Sequence, residues 1–234
     1  MNTSESKRLD AKFVINEIDS LEYSYEKFQE IICRIDSDFL KAHNNRYNKE
    51  HPHHLHSAIN PCPFEGDLQK AKVVLLLANP HYQVNESTKK DHERIDCWGI
   101  WGLSSQTHHT MHGWWRPRLK HFIHNINSED EWKDLSWKVA SFQSVAWASV
   151  NFHECNQLPS KKLMGDTLRN LAKKRNDIVF VVMRNKAYWT KILDEINVKA
   201  IFIKNPRCSF LTRKNMLNAS DWDILEKCLR SSKG

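Results

Sequence analysis

The stretch Val73-Val74-Leu75-Leu76-Leu77-Ala78-Asn79-Pro80-His81-Tyr82 decides how the rest of the chain is read. An unbroken aliphatic run leaves no polar face, the pattern of a short strand buried on both sides in a parallel sheet. Pro80 cannot continue a helix and biases Asn79 to extended backbone, so the run ends at an asparagine. The same grammar returns at Ala200-Ile201-Phe202-Ile203-Lys204-Asn205-Pro206-Arg207. In open α/β sheets ligands gather at the carboxyl ends of the strands, which makes Asn79 and Asn205 candidates for chemistry. Asn-Pro is also common punctuation, and the plainer reading of either site alone is an ordinary turn.

Outward from the first strand, Lys72 to Ala78, helix and strand alternate. Toward the N-terminus, Phe13, Ile15, Ile18 and Leu21, then Phe28, Ile31, Ile32, Ile35, Phe39 and Leu40, have helical spacing and predict two helices between Lys12 and about Asn44. The polar, histidine-rich, proline-bounded stretch Asn45 to Pro63 reads as a surface loop. Gln83 to Gly113 has little periodicity, is tryptophan-rich and exceeds the usual loop length, the mark of a functional loop or of short elements without a clear pattern. Trp114 to Ile126 reads as a helix, Trp137 to Val150 as a strand with a polar exit, and Pro159 to Lys174 as a helix. Ile178 to Met183 then reads as a strand, Lys186 to Ile196 as a helix and Lys199 to Ile203 as a strand. Ser220 is the expected cap of a final helix through Leu229. Four strands joined by helices predict an α/β fold, a three-layer α/β/α sandwich around a four-stranded parallel sheet. One domain is expected over 1–234, with the helices and His-rich loop of residues 1–60 packed on it.

Composition narrows the classes. The 234 residues carry a net charge of +7 and a pI of about 9.1. Basic residues gather at Arg116 to Lys120, Lys161 to Arg175 and Lys204 to Lys214, each near an expected strand end or helix start, which suits a polyanionic partner; solvated helix faces are the competing account. No apolar run approaches the ~20 residues of a membrane span, and the polar start has no signal-peptide core, so no membrane partner and a cytoplasmic location are expected. The six cysteines, at 33, 62, 97, 155, 208 and 228, form no C-x-x-C pair, so reduced thiols are expected rather than a zinc or iron-sulfur framework.

Set in order, these motifs resemble the uracil-DNA glycosylase superfamily. Leu77-Ala78-Asn79-Pro80 looks like its first signature loop, Gly-x-(Asp or Asn)-Pro. Asn205-Pro206-Arg207-Cys208 is similar to the second loop in the form found in the mismatch-specific, thymine DNA glycosylase branch, Asn-Pro-Ser-Gly. Pro63-Phe64-x-Gly66-Asp67 and Trp115-x-x-x-Leu119-Lys120 look like bacterial members. The resemblance spans about Pro61 to Leu229 in layout. It implies a monofunctional glycosylase that flips a base from double-stranded DNA and hydrolyses its N-glycosidic bond without a cofactor. It implies that Asn79 holds the attacking water, that Ala78 offers a backbone group to the base, and that Asn205 donates a hydrogen bond to the base carbonyl as its charge grows.

By the same resemblance Ser149 or Asn151 reads the base edge, and Tyr82, Trp98 or Trp101 stacks on the base. Arg207, Phe210 or Leu211 supplies the wedge that fills the emptied stack, while Lys204, Arg213 and Lys214 grip phosphates. Ordinary core and strand-end roles compete for the tryptophans, Ser149 and Asn151. The sequence departs from the family at Ala78, at His81, where members carry tyrosine or glycine, and at Arg207, where a small residue is usual. A modified or mismatched pyrimidine is therefore expected rather than plain uracil, with hypermodified phage bases such as glucosylated hydroxymethylcytosine as the sharpest case.

Two other classes compete. A nucleic-acid-binding protein of the same fold without catalysis would show the same basic and aromatic strand ends. The histidines, His51, His53, His54 and His56 in one tract and His108, His109 and His112 in another, raise a His-metal hydrolase, but no His-Glu-x-x-His arrangement accompanies them and no metal is expected.

Overall fold

The computed structural model describes residues 25–82, 100, 103, 109–155 and 157–230. Among them are six α-helices and a five-stranded mixed sheet. In chain order the elements are α1 Tyr25–Arg46, β1 Phe64–Glu65, β2 Val73–Leu77, α2 His109–Leu119, α3 Glu129–Lys138, β3 Val139–Gln143, α4 Pro159–Lys174, β4 Val179–Val182, α5 Lys186–Glu195, β5 Ala200–Phe202 and α6 Ala219–Leu229. No helix among the described residues is long and apolar enough to cross a membrane.

The strand order is β1-β3-β2-β4-β5, with β3, β2, β4 and β5 parallel and β1 antiparallel on β3. Every residue of β2 is buried, as its unbroken apolar run requires, and alternate side chains enter different clusters. Val74 and Leu76 share one cluster with Phe28 and Ile32 of α1, Leu168 of α4 and Trp189 of α5. Val73, Leu75 and Leu77 share the other with Trp115 of α2, Trp132 of α3 and Trp222 of α6. The chain leaves β2 toward β3 and leaves β4 toward β5. The carboxyl ends of β2 and β4 therefore flank the point where connections diverge, the usual ligand position in such sheets.

Several expectations need correction. The sheet has five strands and is mixed, because Phe64–Glu65 adds an antiparallel edge, Phe64 opposite Phe142 and Glu65 opposite Ser141. Two residues carry no periodicity, so nothing in the sequence announces this strand. The expected strand Trp137 to Val150 is shorter. Trp137 and Lys138 close α3, and the strand ends at Gln143. The signal for α3 lay at Ser128-x-x-Glu131, where the Ser128 hydroxyl accepts the Glu131 N–H as a helix cap. The expected helix Trp114 to Ile126 starts earlier and gives way after Leu119 to a 3₁₀ turn at Lys120–Phe122. The last helix is capped at Asn218 rather than Ser220. Of the two expected N-terminal helices, α1 is the second; the first, and most of Gln83 to Gly113, lie outside the described residues.

The stretch 45–63 is not a simple surface loop, since His54, Leu55, Ile59, Pro61, Cys62 and Pro63 are buried. Its backbone runs against the exit of β3, through Asn151 N–H to Pro52 O, His56 N–H to Ala148 O, Cys62 N–H to Ala146 O and Gln143 N–H to Pro63 O. Leu55 and Cys62 supply the apolar contacts that the histidines around them mask in the sequence.

Gly66 turns the chain out of β1 with φ of +86°, and a Cβ there would meet Val139 O at 2.7 Å and the Ala140 Cα at 3.0 Å, both backbone. Left-handed geometry and the clash act together, so Gly66→Ala is expected to cost about 1–3 kcal/mol and lower the thermal midpoint measurably. An unchanged midpoint would show that β1 does not need this approach.

Candidate functional site

Asn79 emerges half-buried just past β2, on the sheet edge where the connections diverge. Its Nδ2 donates to Ser149 Oγ at 2.8 Å and to Trp147 O at 3.4 Å. Ser149 Oγ in turn donates to Asn151 O at 2.8 Å. A carbonyl oxygen only accepts, so the hydroxyl proton is committed there and Ser149 must receive the Asn79 N–H. The direction of this relay orients the carboxamide and leaves its Oδ1 with no hydrogen bond among the described residues.

The surrounding exits are tied to one another. Ala78 O accepts from Val145 N at 2.8 Å and from Ser144 Oγ at 2.8 Å. Asn185 Nδ2 donates to Ser144 Oγ at 2.9 Å, and Trp189 Nε1 donates to Leu77 O at 2.8 Å. The β3 exit and the start of α5 thus converge on the end of β2. Sequence reasoning missed Ser144, Asn185 and Trp189, which become neighbours of Asn79 through sheet order and not through any local motif. Ala78 keeps less to offer than expected, since both lone pairs of its carbonyl are occupied.

Ser149 is buried, and its hydroxyl is occupied between Asn79 Nδ2 and Asn151 O. Asn151 is exposed, and its backbone oxygen meets Ser149 Oγ and His53 Nδ1. His81 is exposed and bridges to Ser149. Tyr82 donates its N–H to Ser149 O at 3.0 Å, and its ring lies flat on the His56 ring with the planes 9° apart. Burial, with the charges of His54 and Lys49, lowers His56 to about 4, so a neutral imidazole backs one face of Tyr82 at pH 7. Trp98 and Trp101 lie outside the described residues.

The second loop leaves β5 exposed. Asn205 Oδ1 accepts from Arg207 N at 3.0 Å and Cys208 N at 3.4 Å, an Asx turn that commits its oxygen and leaves Nδ2 as the group with no hydrogen bond among the described residues. Asn215 closes the loop from below, its Oδ1 accepting the Asn205 N–H at 3.0 Å and its Nδ2 reaching Phe210 O at 2.8 Å. Phe210 and Arg207 are both exposed, as wedge candidates must be. Leu211 is not one of them. It has no exposed surface and belongs to the cluster of α2, α3 and α6, because loop alternation turns it inward after Phe210. Arg213 is paired with Asp223 at 2.5 Å and Glu226 at 3.7 Å, which ties its guanidinium to α6. Lys204 and Lys214 are exposed, Lys204 Nζ meeting Lys214 O at 3.4 Å.

The histidine tract folds against α1 and the β3 exit as a ring cluster. His53 stacks on His153 with centroids 4.9 Å apart, Tyr47 lies 4.6 Å from His51, and His43 Nε2 meets His53 O at 2.9 Å. Burial and the neighbouring imidazoles depress His153 below the ordinary histidine range. No group of three or more His, Cys, Asp or Glu among the described residues is arranged to hold a metal ion. His108 and the side chains of His109 and His112 lie outside the described residues.

Comparisons with protein-family models, with curated proteins and with solved structures find no match to this chain.

Proposed function

We propose that the chain is a monofunctional DNA glycosylase that flips a modified or mismatched pyrimidine from duplex DNA and hydrolyses its N-glycosidic bond, leaving an abasic site. One observation carries the reading: a carboxamide at the divergence point of a parallel sheet, polarised by a one-way hydrogen-bond relay so that its oxygen faces no partner. The resemblance of the two Asn-Pro loops to the uracil-DNA glycosylase superfamily supports it, as does the four-strand parallel core with helices on both faces.

In this reading Asn79 Oδ1 accepts a hydrogen bond from the attacking water and places it beneath the anomeric carbon. An amide is a weak base, so alignment dominates and the proton leaves after the bond to the base has largely broken. Asn205 Nδ2, pinned by its Asx turn, donates to the departing base as negative charge grows on it. Tyr82, backed by His56, stacks on the flipped base, and Phe210 or Arg207 fills the gap in the helix. His81 and Arg207 favour an enlarged pyrimidine, with glucosylated hydroxymethylcytosine in phage DNA as the sharpest candidate and a role in restricting phage as its consequence.

The second reading is duplex binding without chemistry, favoured by the exposed basic and aromatic side chains of the second loop, Lys204, Arg207, Phe210 and Lys214. Incubation with genomic DNAs of differing modification, followed by mass spectrometry of released bases, separates the two. A free base together with alkali-labile sites is expected. Tight binding with no base released from any uracil, mismatched or glucosylated duplex would leave the binding protein.

A further inference from the structure

Two guanidinium groups outside the residues named so far converge on the second loop from opposite sides. Arg118, in the last turn of α2, accepts the Leu211 N–H on its carbonyl at 3.2 Å, donates Nη1 to Trp114 O at 2.7 Å, and lies over Trp114 at 4.0 Å and Phe210 at 5.2 Å from its Cζ. Arg184, at the exit of β4, directs Nη2 to Arg207 O at 3.5 Å. Both are half-buried, and neither pairs with a carboxylate among the described residues. Arg116, Arg169 and Arg175 are by contrast paired, with Glu129, with Asp166 and Glu195, and with Asp177. Arg118 Nε is fully buried with no hydrogen-bond partner among the described residues, an unfavourable state for a charged group. Burial first, and the charge of Arg184 second, pull Arg118 down to about 10, against an opposing contribution from Cys208.

We infer that Arg118 and Arg184 form a seat for a phosphate oxyanion, occupied by a backbone phosphodiester beside the flipped nucleotide. This rests on the glycosylase reading for its occupant. The aromatic pair Trp114 and Phe210 holds the Arg118 plane, so its fork is set before the anion arrives and little rotamer entropy is lost on binding. Guanidinium forks match phosphate oxygens in pairs, and two of them on one phosphate exceed what an exposed lysine provides. A phosphate clamped between β4 and the Asn205 loop would fix the strand relative to Asn79, where alignment is the main catalytic contribution.

The test uses the full chain with Arg184→Gln and the Arg118→Gln/Arg184→Gln pair, and Arg184→Gln alone if the pair loses its fold by circular dichroism. Affinity for a short fluorescent duplex carrying an abasic analogue is measured over a salt series, and thermal shift is measured in sodium phosphate against sodium chloride at matched ionic strength. Duplex affinity is expected to fall about tenfold, with the slope of log affinity against log salt reduced by about one. An unchanged slope together with an unchanged phosphate-induced thermal shift in the variants overturns the seat. Loss of the phosphate-induced thermal shift with unchanged duplex binding overturns the DNA occupant and assigns the seat to a free phosphate-bearing molecule. Base release by the native chain, run in parallel, keeps the two ideas apart. Released base with both the slope and the phosphate-induced thermal shift unchanged sinks the seat alone, whereas a reduced slope with no released base keeps the seat and sinks the glycosylase.

Discussion

Asn79→Ala is expected to lower single-turnover base release by about a hundredfold or more while leaving duplex affinity and the thermal midpoint close to native. The rate should fall because alanine removes the acceptor that aligns the water, and misalignment of a reacting atom by about an ångström costs on the order of a hundredfold. Stability should hold because the lost contacts are those of a half-buried amide, worth about 1 kcal/mol, and Ser149 keeps its bond to Asn151 O. Ser149→Ala is the informative companion. It leaves the carboxamide in place without its main anchor, so base release should fall less than in Asn79→Ala. The measurement is alkali cleavage of labelled duplex under enzyme excess, with binding followed on the same duplex. Equal yields from native protein and Asn79→Ala would remove Asn79 from the mechanism.

Asp36→Ala is expected to destabilise the fold by about 3 kcal/mol or more, the largest loss foreseen for one side chain. Asp36 has no exposed surface, and its two oxygens each serve one donor: Oδ2 accepts Trp147 Nε1 at 2.8 Å and Oδ1 accepts the Ser160 N–H at 2.9 Å. The carboxylate thereby joins α1, the β3 exit and the first turn of α4. Alanine would strand both donors in the core. Asp36→Asn is expected to lose less, because it satisfies one donor and turns an NH₂ toward the other. Burial raises the Asp36 carboxyl above its ordinary value against the effect of its hydrogen bonds. The folded state therefore holds the proton more tightly than the unfolded chain. Its contribution is fully present below the ordinary aspartate range and declines as pH rises through the raised value. Urea titrations across that range should show this downward trend in the native protein relative to Asp36→Asn; a slope of opposite sign would refute the burial account.

How much of this was legible depended on whether the signal was local. The β2 and β5 runs, the α4 start at Pro159 and both Asn-Pro exits are local patterns, and they fall where the sequence puts them. The edge strand at Phe64–Glu65 and the docking of 52–63 on the β3 exit rest on backbone hydrogen bonds, which any side chain can make. Leu211 looked like Phe210 in sequence, and only packing distinguishes them. For Ser149 the resemblance implies base reading, shared with Asn151, while an ordinary strand end is the plainer use. The relay to Asn79 is visible only once residues separated by 70 positions are adjacent. Arg184 carries no motif at all, and it stands out only because no carboxylate pairs with it among the described residues.

The central position of β2 shapes how the chain is made. Val73 pairs with Val139 and with Val179, so this apolar strand is synthesised before both of its neighbours and the second arrives 106 residues later (179 − 73). At ribosomal speeds of about 5–20 residues per second, that interval is roughly 5–20 seconds. For that time Val73-Val74-Leu75-Leu76-Leu77 is an aliphatic segment with one edge unclaimed, the kind of sequence that seeds intermolecular pairing. Expression yield should therefore respond to translation rate and chaperone supply well before any variant alters the finished fold. The burial that makes β2 a rigid platform for Asn79 also makes it the chain's main hazard during synthesis.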